Sequence, residues 1–149
     1  TFANTVARAI NPFEAPTQLV GMFHPNYRSV HSSVAQLSGQ SRAAVFKGIG
    51  GEIQRNPQKT CRVYTVRDGE IDEEDWPSWT QSLGHEWRSE DLSPERIAAL
   101  WCGDIDLPAV EASIAGTVAI ALKIIGKADT VEEADSMARG MWQRRSRKL

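Results

Sequence analysis

The sequence has few of the features that mark secreted, metal-binding or membrane proteins. It contains only two cysteines, Cys61 and Cys102, which are far apart in the chain and have no second pair with which to form a metal cluster. We interpret both as reduced thiols of a cytoplasmic protein. No apolar run reaches the roughly 20 residues that span a bilayer, and the first residues lack the basic and apolar regions of a signal peptide. An initiator Met is also lacking, so we expect a piece of a longer chain.

The composition is that of an ordinary globular domain. Of the 149 residues, 41% are hydrophobic and 24% charged, which excludes wholesale disorder, collagen-like repeats and a disulfide scaffold. Charge is nevertheless segregated along the chain. Residues 1–67 carry 8 Lys and Arg against 2 Asp and Glu, residues 68–111 carry 2 against 13, and residues 112–149 carry 7 against 4. The basic blocks indicate an anionic partner, unless the blocks only face solvent or pair with each other.

The first 47 residues have the pattern of a parallel β-α-β unit. After a short helical stretch that Pro12 ends, residues 17–23 and 42–46 are short apolar segments typical of buried strands. An amphipathic helix of about 12 residues, the connection that a parallel crossover requires, separates them. Its apolar residues recur at helical spacing before Gly39 ends the run: Tyr27, Val30, Val34 and Leu37. His31 lies beside this stripe, where we expect it to be exposed or half-buried.

The rest of the chain predicts a hairpin and three helices. Residues 61–66 alternate and are β-branched, and Asp68-Gly69 predicts a tight turn to residues 71–76. Residues 77–92 are expected to form a surface excursion. Helix starts are predicted at Ser93-Pro94, at Pro108 and at the capping box Thr130–Glu133. For the last helix we expect an inner side made of Ala134, Met137, Ala138 and Met141. The prediction is an α/β fold with a parallel sheet covered by helices, a β-hairpin and C-terminal helices.

The glycine-rich turn after the second strand is the main candidate for a ligand site. Gly48, Gly50 and Gly51 bring bare backbone to the carboxyl edge of the sheet, where α/β sheets bind ligands, and Lys47 adds a positive charge. The turn is neither a Walker loop nor a dinucleotide fingerprint, and the alternative interpretation is a tight turn. Glu52 could be a metal ligand or a general base, or could simply be solvated.

A second candidate, His24, follows the first strand at the same predicted edge. It could contact a phosphate or transfer a proton, and the alternative is a turn cap with Pro25. No Ser-His-Asp order, Cys-His pair or metal-ligand spacing is convincing, so catalytic residues are unassigned. The acidic run 72–75 is interpreted as a solvated face or a guard of a strand edge.

The C-terminus carries five cations and no acid in its last 11 residues: Arg139, Arg144, Arg145, Arg147 and Lys148. Such a cluster at a helix end predicts nucleic-acid binding. Cations also complement the helix macrodipole there, which is the alternative interpretation. A wider basic surface would result if further cations share one face: Arg28, Arg42, Lys47, Arg55, Lys59 and Arg62.

Several motifs together resemble glycosyltransferase family 3, the anthranilate phosphoribosyltransferase family. That family carries Arg-Thr-x-x-Asn, then Leu-Leu-Asn-Pro, then Gln-Leu-Val-Gly-Val, a helix, and Arg-Ala-Leu-Val-Val-His-Gly-x-Asp-Gly-Leu-Asp-Glu. The residues of this chain that match at the family's spacing are Thr1, Asn4, Asn11, Pro12, Gln18, Leu19, Val20, Gly21, Arg42, Ala43, Val45, Gly48 and Gly51. The resemblance covers residues 1–70 well and the later helices loosely.

The resemblance implies the C-terminal part of a parallel-sheet domain of the nucleoside phosphorylase/phosphoribosyltransferase type. The family's enzymes transfer a phosphoribosyl group from phosphoribosyl pyrophosphate to an aromatic amine or base, with Mg²⁺. Their helical domain, first strands and diphosphate loop precede the part that this chain covers, so residues 1–149 are expected to be one incomplete domain. The candidate substrate or anion site then comprises Asn11, His24, Lys47, Gly48, Gly50, Gly51 and Glu52.

The departures from the family pattern concern the chemistry. The family's Mg²⁺-binding Asp-Glu pair falls on Ile53 and Gln54, its His-Gly on Lys47-Gly48, and its Gly-Pro on Ala7-Arg8. Because two carboxylates are replaced, we expect this chain to hold no cofactor, although the family uses Mg²⁺. This variant is similar to the divergent YbiB-like branch, which keeps the fold and is associated with nucleic-acid binding.

The sequence therefore favours two hypotheses of function. A third, dimerisation or scaffolding, is less favoured. One is a phosphoribosyltransferase-like protein, and the other is a nucleic-acid-binding protein on the same fold. The expected partners are the upstream part of the same protein, a second copy in a homodimer, and either phosphoribosyl pyrophosphate or nucleic acid, with no membrane.

Overall fold

A computed structural model of the chain describes residues 2–48, 50–79 and 92–148. Most of the excursion expected over residues 77–92 lies outside these ranges. The helices are α1 (Phe2–Ala9), α2 (Tyr27–Leu37), α3 (Pro94–Cys102), α4 (Pro108–Ile124) and α5 (Val131–Gln143). The strands are β1 (Thr17–Met22), β2 (Arg42–Lys47), β3 (Cys61–Arg67) and β4 (Glu70–Trp76).

The strands form one sheet in the order β1-β2-β3-β4. β1 and β2 are parallel, with Thr17 opposite Arg42 and Met22 opposite Lys47. β3 returns antiparallel to β2, and β4 returns antiparallel to β3. The predicted β-α-β unit, the hairpin and the α/β fold class are confirmed. The sequence did not predict that the hairpin joins the same sheet beside β2.

The turns and caps follow from residues with special backbone geometry. Asp68 and Gly69 both have positive φ, at 51° and 86°, as the tight hairpin turn requires. The Ser93 side chain accepts the N–H of Arg96 at the start of α3, and the Thr130 side chain accepts that of Glu133 at 3.1 Å. These two predicted helix starts are therefore confirmed, and α4 begins at Pro108, the third predicted start.

One face of the sheet is closed by α3, α4 and α5. Alternate residues of β2 and β3, among them Phe46 and Val63, point into this core and are completely buried. Ile120 of α4 is 1% exposed. Lys123 joins the same helix to the hairpin through an ion pair of 2.8 Å with Glu74. Met141 is exposed, so its expected place on the inner side of α5 is wrong.

Arg55 ties the loop between β2 and β3 to this closed face. Its side chain is 1% exposed and forms an ion pair of 2.7 Å with Asp135 of α5. It also donates to the carbonyl of Pro77 at 2.6 Å, and its guanidinium lies 4.9 Å from the ring centroid of Trp76 and 5.5 Å from that of Trp79. Arg55 is therefore a buried structural residue and adds nothing to a basic surface.

The opposite face of the sheet is covered by α2. Most of the α2 side chains that face the sheet are small. Its buried residues are His31, Ser32 and Ala35, whereas every member of the predicted apolar stripe is exposed, Leu37 to 86%. His31 is 6% exposed, so the expectation of an exposed or half-buried histidine is wrong. Burial, and secondarily the charge of Arg8, lowers the pKa of His31 below its usual value.

Within the described residues, no helix has both the length and the hydropathy that spanning a membrane requires.

Candidate functional site

The glycine turn lies at the carboxyl edge of the parallel pair, where β1 ends at Met22 and β2 at Lys47. The N–H of Gly48 donates to the carbonyl of Met22 at 3.0 Å. A Cβ atom at Gly21 or at Gly48 would overlap the backbone carbonyl of Glu52. These two glycines therefore let the turn fold back across the ends of both strands.

Arg8 of α1 holds this turn in place. Its guanidinium donates to the carbonyl of Gly21 and, at 2.6 Å, to that of Gly51. Gly51 has a φ of +94°, and a Cβ there would lie 3.0 Å from the Arg8 Nη2 atom. Arg8 occupies a position of the Gly-Pro motif in the resembled family, so that departure is the one sequence signal that could have revealed its role. Arg8 thus packs against the turn and holds it through hydrogen bonds to the carbonyls of Gly21 and Gly51.

The donor set of this turn does not fit a magnesium ion. Glu52 provides a carboxylate, and its Oε2 accepts the N–H of Gly50 at 2.6 Å. The next two residues, Ile53 and Gln54, offer no carboxylate. Within the described residues, no group of three His, Cys, Asp or Glu side chains could hold a metal ion. Mg²⁺ prefers several oxygen ligands, usually including one or two carboxylates.

Beside the turn, a pocket of about 140 Å³ opens between α2, the end of β2 and the β2–β3 loop. We call it the cationic pocket because four of its eight lining residues are cations and none is a carboxylate. It is lined by Arg28, Lys47, Gly48, Asn56, Lys59, Thr60, Cys61 and Arg62. Periodicity in the sequence carries no signal for such a site, since half of its lining comes from a loop or a turn.

Only one of the four cations of the pocket is paired with carboxylates. Arg62 donates two bonds of 2.7 Å to Asp75, and this pairing lowers the pKa of the Asp75 carboxyl. Arg28 donates to the carbonyl of Pro25 at 3.2 Å, and the Lys47 Nζ atom donates to that of Gly48 at 3.2 Å.

Lys59, the remaining cation, is exposed and has no ion-pair partner in the part of the chain that the structure describes. Three of the four cations therefore form no ion pair among the described residues, although the negative charge of Asp75 also acts on Arg28 and Cys61.

Cys61 borders the pocket but is not a nucleophile. The residue is 5% exposed. Burial raises its pKa to about 11, although Arg55, Arg28 and Lys47 act in the opposite direction. The thiol is therefore protonated at neutral pH, and a protonated thiol is a poor nucleophile.

Of the other predicted anion-site residues, His24 stays at the carboxyl edge and Asn11 lies away from it. His24 is exposed at the carboxyl edge, and its carbonyl accepts the N–H of Tyr27 at the start of α2. Asn11 lies at the opposite edge, before β1. Its amide donates to the carbonyl of Ala15 and to the Gln40 side chain, both at 2.8 Å. Asn11 thus fixes the turn into β1 and is not brought together with Lys47.

The C-terminal cations divide into two groups. Arg145 donates to the carbonyls of Leu100, Trp101 and Trp142 at 2.8 to 2.9 Å. The guanidinium of Arg139 lies 4.0 Å from the ring centroid of Trp79. Both side chains therefore make contacts within the fold. A second group is exposed at the end of the chain: Arg144, Arg147 and Lys148.

The six further cations also separate. Arg28, Lys47, Lys59 and Arg62 share the cationic pocket. Arg42 lies at the opposite edge of the sheet, where it donates to the carbonyl of Ile125 at 2.8 Å. Arg55 is buried, as described above. Four of the six cations therefore share one surface, and Arg42 and Arg55 do not belong to it.

The parallel crossover, the added hairpin and the packed helices define a mixed α/β domain consistent with the C-terminal part of a nucleoside phosphorylase/phosphoribosyltransferase-type domain. Comparison with known proteins points the same way. The chain is 32% identical over 142 residues to the anthranilate phosphoribosyltransferase of Serratia proteamaculans, a match that spans 90% of this chain and 42% of that enzyme.

Shorter matches are found to enzymes of the same name. Those of Burkholderia mallei and Aromatoleum aromaticum are 33% and 32% identical over 73 residues, which is 49% of this chain and 21% of each enzyme. No family model matches the chain. The chain thus spans less than half the length of the relatives it matches, and the similarity supports a phosphoribosyltransferase-like relationship.

Proposed function

We propose that this chain is the C-terminal α/β part of a phosphoribosyltransferase-like protein of glycosyltransferase family 3, closest to its YbiB-like branch. One observation carries the proposal: a parallel β1–α2–β2 unit homologous to that of transferases ends beside a pocket lined by cations. Cations and bare backbone at the carboxyl edge of an α/β sheet suit a phosphate-bearing ligand. On this proposal the ligand is phosphoribosyl pyrophosphate.

The role of this chain in such a protein is to bind and orient the ligand. Lys47 and Lys59 supply positive charge, and the turn that Arg8 fixes supplies a rigid rim. None of the residues lining the pocket is a histidine or a carboxylate, so we assign no proton transfer to them. We also propose that this part of the protein holds no Mg²⁺, because Ile53 and Gln54 replace the expected carboxylates.

The test is calorimetric titration of the intact protein with phosphoribosyl pyrophosphate, first with Mg²⁺ and then with EDTA. We expect saturable binding that pyrophosphate competes away and that Lys47→Ala weakens. Lys127→Ala, at an exposed lysine of the α4–α5 turn, removes the same charge elsewhere and should bind like the wild type. Absence of binding at millimolar ligand in the presence of Mg²⁺ contradicts the proposal.

The exposed cations at the end of α5 favour a second candidate function, nucleic-acid binding on the same fold. Because Arg145 is engaged within the fold, the test replaces only Arg144, Arg147 and Lys148 by alanine. The slope of log affinity for single-stranded DNA against log salt should flatten by about 0.7 for each lost phosphate contact. A variant with Arg67, Lys123 and Lys127 replaced is the control of equal charge, and an equal slope in both variants counts against this candidate.

The expected partners follow the same resemblance. We propose that the protein functions in the cytoplasm as a homodimer and that its upstream part completes the domain. Light scattering of the intact protein at several concentrations gives the mass directly, and a monomer at all of them contradicts the dimer.

A further inference from the structure

We propose that the cationic pocket binds the dianion of a phosphate monoester directly, without a divalent metal ion. This inference goes beyond the proposed function, because it holds whether or not the protein binds phosphoribosyl pyrophosphate or transfers its sugar. It concerns the eight lining residues, of which six belong to neither the predicted anion site nor the predicted nucleic-acid site: Arg28, Asn56, Lys59, Thr60, Cys61 and Arg62.

The charge of the pocket calls for an anion with more than one negative charge. Two carboxylates of β4, Asp75 and Glu73, are engaged with Arg62 at 2.7 and 3.9 Å. Arg28 and Lys47 form no ion pair within the described residues, although the charges of Arg28 and Asp75 attract each other. Arg28 lies 5.6 Å from the Tyr64 ring centroid, and Lys47 lies at the same distance from that of Phe23. With Lys59, three cations of the pocket form no ion pair within the described residues, and the four cations outnumber the carboxylates of Asp75 and Glu73 by two.

The neutral groups of the pocket offer hydrogen-bond donors. The Oδ1 atom of Asn56 already accepts the N–H of Gln58 at 2.9 Å, which leaves the Nδ2 atom to donate. The Thr60 hydroxyl is exposed and has no protein partner in the described part of the chain. A ligand in the pocket therefore meets ammonium, guanidinium, amide and hydroxyl donors. Phosphate oxygens are strong acceptors that match such a donor set.

The pocket is large enough for the terminal group of a ligand but too small for a whole drug-sized molecule. Its volume of about 140 Å³ is well below the ~300–1,000 Å³ of pockets that enclose a whole drug-sized molecule. At ~30 Å³ per water molecule, it holds about four or five of them. A terminal phosphate can enter such a pocket while the rest of the molecule stays outside. A phosphodiester, which continues on both sides, fits less well and carries only one negative charge.

The absence of a metal requirement follows from the same residues. Metal ions in phosphate sites neutralise the charge of the ligand and need carboxylate or other oxygen ligands. Here the neighbouring turn offers Glu52, whose Oε2 accepts the N–H of Gly50 at 2.6 Å, and the pocket itself has no carboxylate lining. The protein's own cations supply the neutralising charge.

The experiment titrates the intact protein with inorganic phosphate in EDTA and follows backbone amide shifts by NMR. We expect saturable shifts at Gly48 and Lys59, and Lys59→Ala should weaken binding about tenfold, the effect of one charge-assisted hydrogen bond. Lys127→Ala is the matched control and should bind like the wild type. Arg28→Gln is a second variant on another element and should weaken binding similarly.

The ligand class is tested with two pairs of probes. Ribose 5-phosphate should bind and ribose should not. A short single-stranded DNA with a 5′-phosphate should compete with inorganic phosphate, and the same DNA without it should not. Equal competition by both oligonucleotides, equal binding by Lys59→Ala and Lys127→Ala, or binding that needs Mg²⁺ each overturns the inference.

The two proposals fail separately. Phosphate binding in EDTA without any binding of phosphoribosyl pyrophosphate removes the proposed function and leaves this inference standing. Tight binding of phosphoribosyl pyrophosphate by the wild type, with no binding of inorganic phosphate, does the reverse.

Discussion

The two faces of the sheet are built in different ways. The face under α3, α4 and α5 is closed by large buried side chains and by the buried ion pair of Arg55 with Asp135. The face under α2 has only small clusters, and the helix meets it with His31, Ser32 and Ala35. Helical periodicity predicts the inner side of α5 on the closed face, except at Met141, whereas for α2 it predicts the side that is exposed.

The difference has a physical reason in the size of the side chains. Ser32 and Ala35 are small and allow α2 to lie close to the sheet, and the larger Val30, Val34 and Leu37 then point outward. The closed face is therefore expected to carry most of the folding free energy, and the α2 face to respond little to truncation.

The largest effect is expected at Arg55 on the closed face. Arg55→Met removes the partner of the nearly buried Asp135 and should lower the free energy of unfolding by about 3–5 kcal/mol. Arg67→Met, at an exposed arginine of the same sheet, should stay within about 0.5 kcal/mol of the wild type. Urea unfolding of the intact protein measures both. A similar small effect of the two variants would remove Arg55 as the anchor of this face.

Truncation of one aliphatic residue on each face compares them directly. Ile120→Ala, in α4, should cost about 2–5 kcal/mol because it opens a cavity in the core. Val34→Ala, on the exposed stripe of α2, should cost less than about 1 kcal/mol, since little buried surface is lost. Equal costs in the intact protein would mean that the stripe is covered there by another part of the protein.

The N-terminal caps of α5, on the closed face, and of α2, on the other face, are also expected to contribute differently to stability. Thr130→Ala removes the capping bond of α5 and should cost about 1 kcal/mol. Asn26, at the start of α2, makes no capping bond through its side chain, so Asn26→Ala should change stability by less than about 0.5 kcal/mol. Thermal unfolding distinguishes the effects of Thr130→Ala and Asn26→Ala. A larger loss of stability in Asn26→Ala would contradict the conclusion that Asn26 makes no capping bond.

The smallest effect is a pH dependence on the α2 face. Burial and Arg8 lower the pKa of His31 in the folded state below the ordinary 6.5, so protonation favours unfolding. The stability contributed by neutral His31 is complete above that value and is lost as the pH falls through the folded-state pKa. Unfolding measured from about pH 7 to about pH 5 should show this decline in the wild type and less of it in His31→Gln. Parallel profiles would contradict the assignment.

Local signals in the sequence account for much of the fold. Gly39, Asp68-Gly69, Ser93 and Thr130 each mark an element boundary through their own backbone or capping chemistry, and all four are confirmed. The pairing of β3 with β2 has no such signal, because it depends on contacts between distant segments. The outward side of α2 likewise depends on what the sheet beneath it accommodates.

The candidate site was predicted only in part, for similar reasons. The glycines of the turn indicated a close approach, but the backbone of Glu52 that approaches Gly21 and Gly48 is visible only in three dimensions. Asn11 was grouped with Lys47, although a residue before a parallel strand lies at the opposite edge from one that ends it. That rule of chain direction could have separated the two residues from the sequence alone.

The position of β1 at the edge of the described sheet has a consequence for handling the protein. Proteins protect strand edges from aggregation with lysine, proline or bulges. The segment Thr17–Met22 has no charged residue and no proline, and within the described residues it has a partner strand on one side only, although Arg8 donates to its Gly21 carbonyl. Produced without a covering segment, this edge would recruit strands from other molecules, so the solubility of any shortened version is decided at β1.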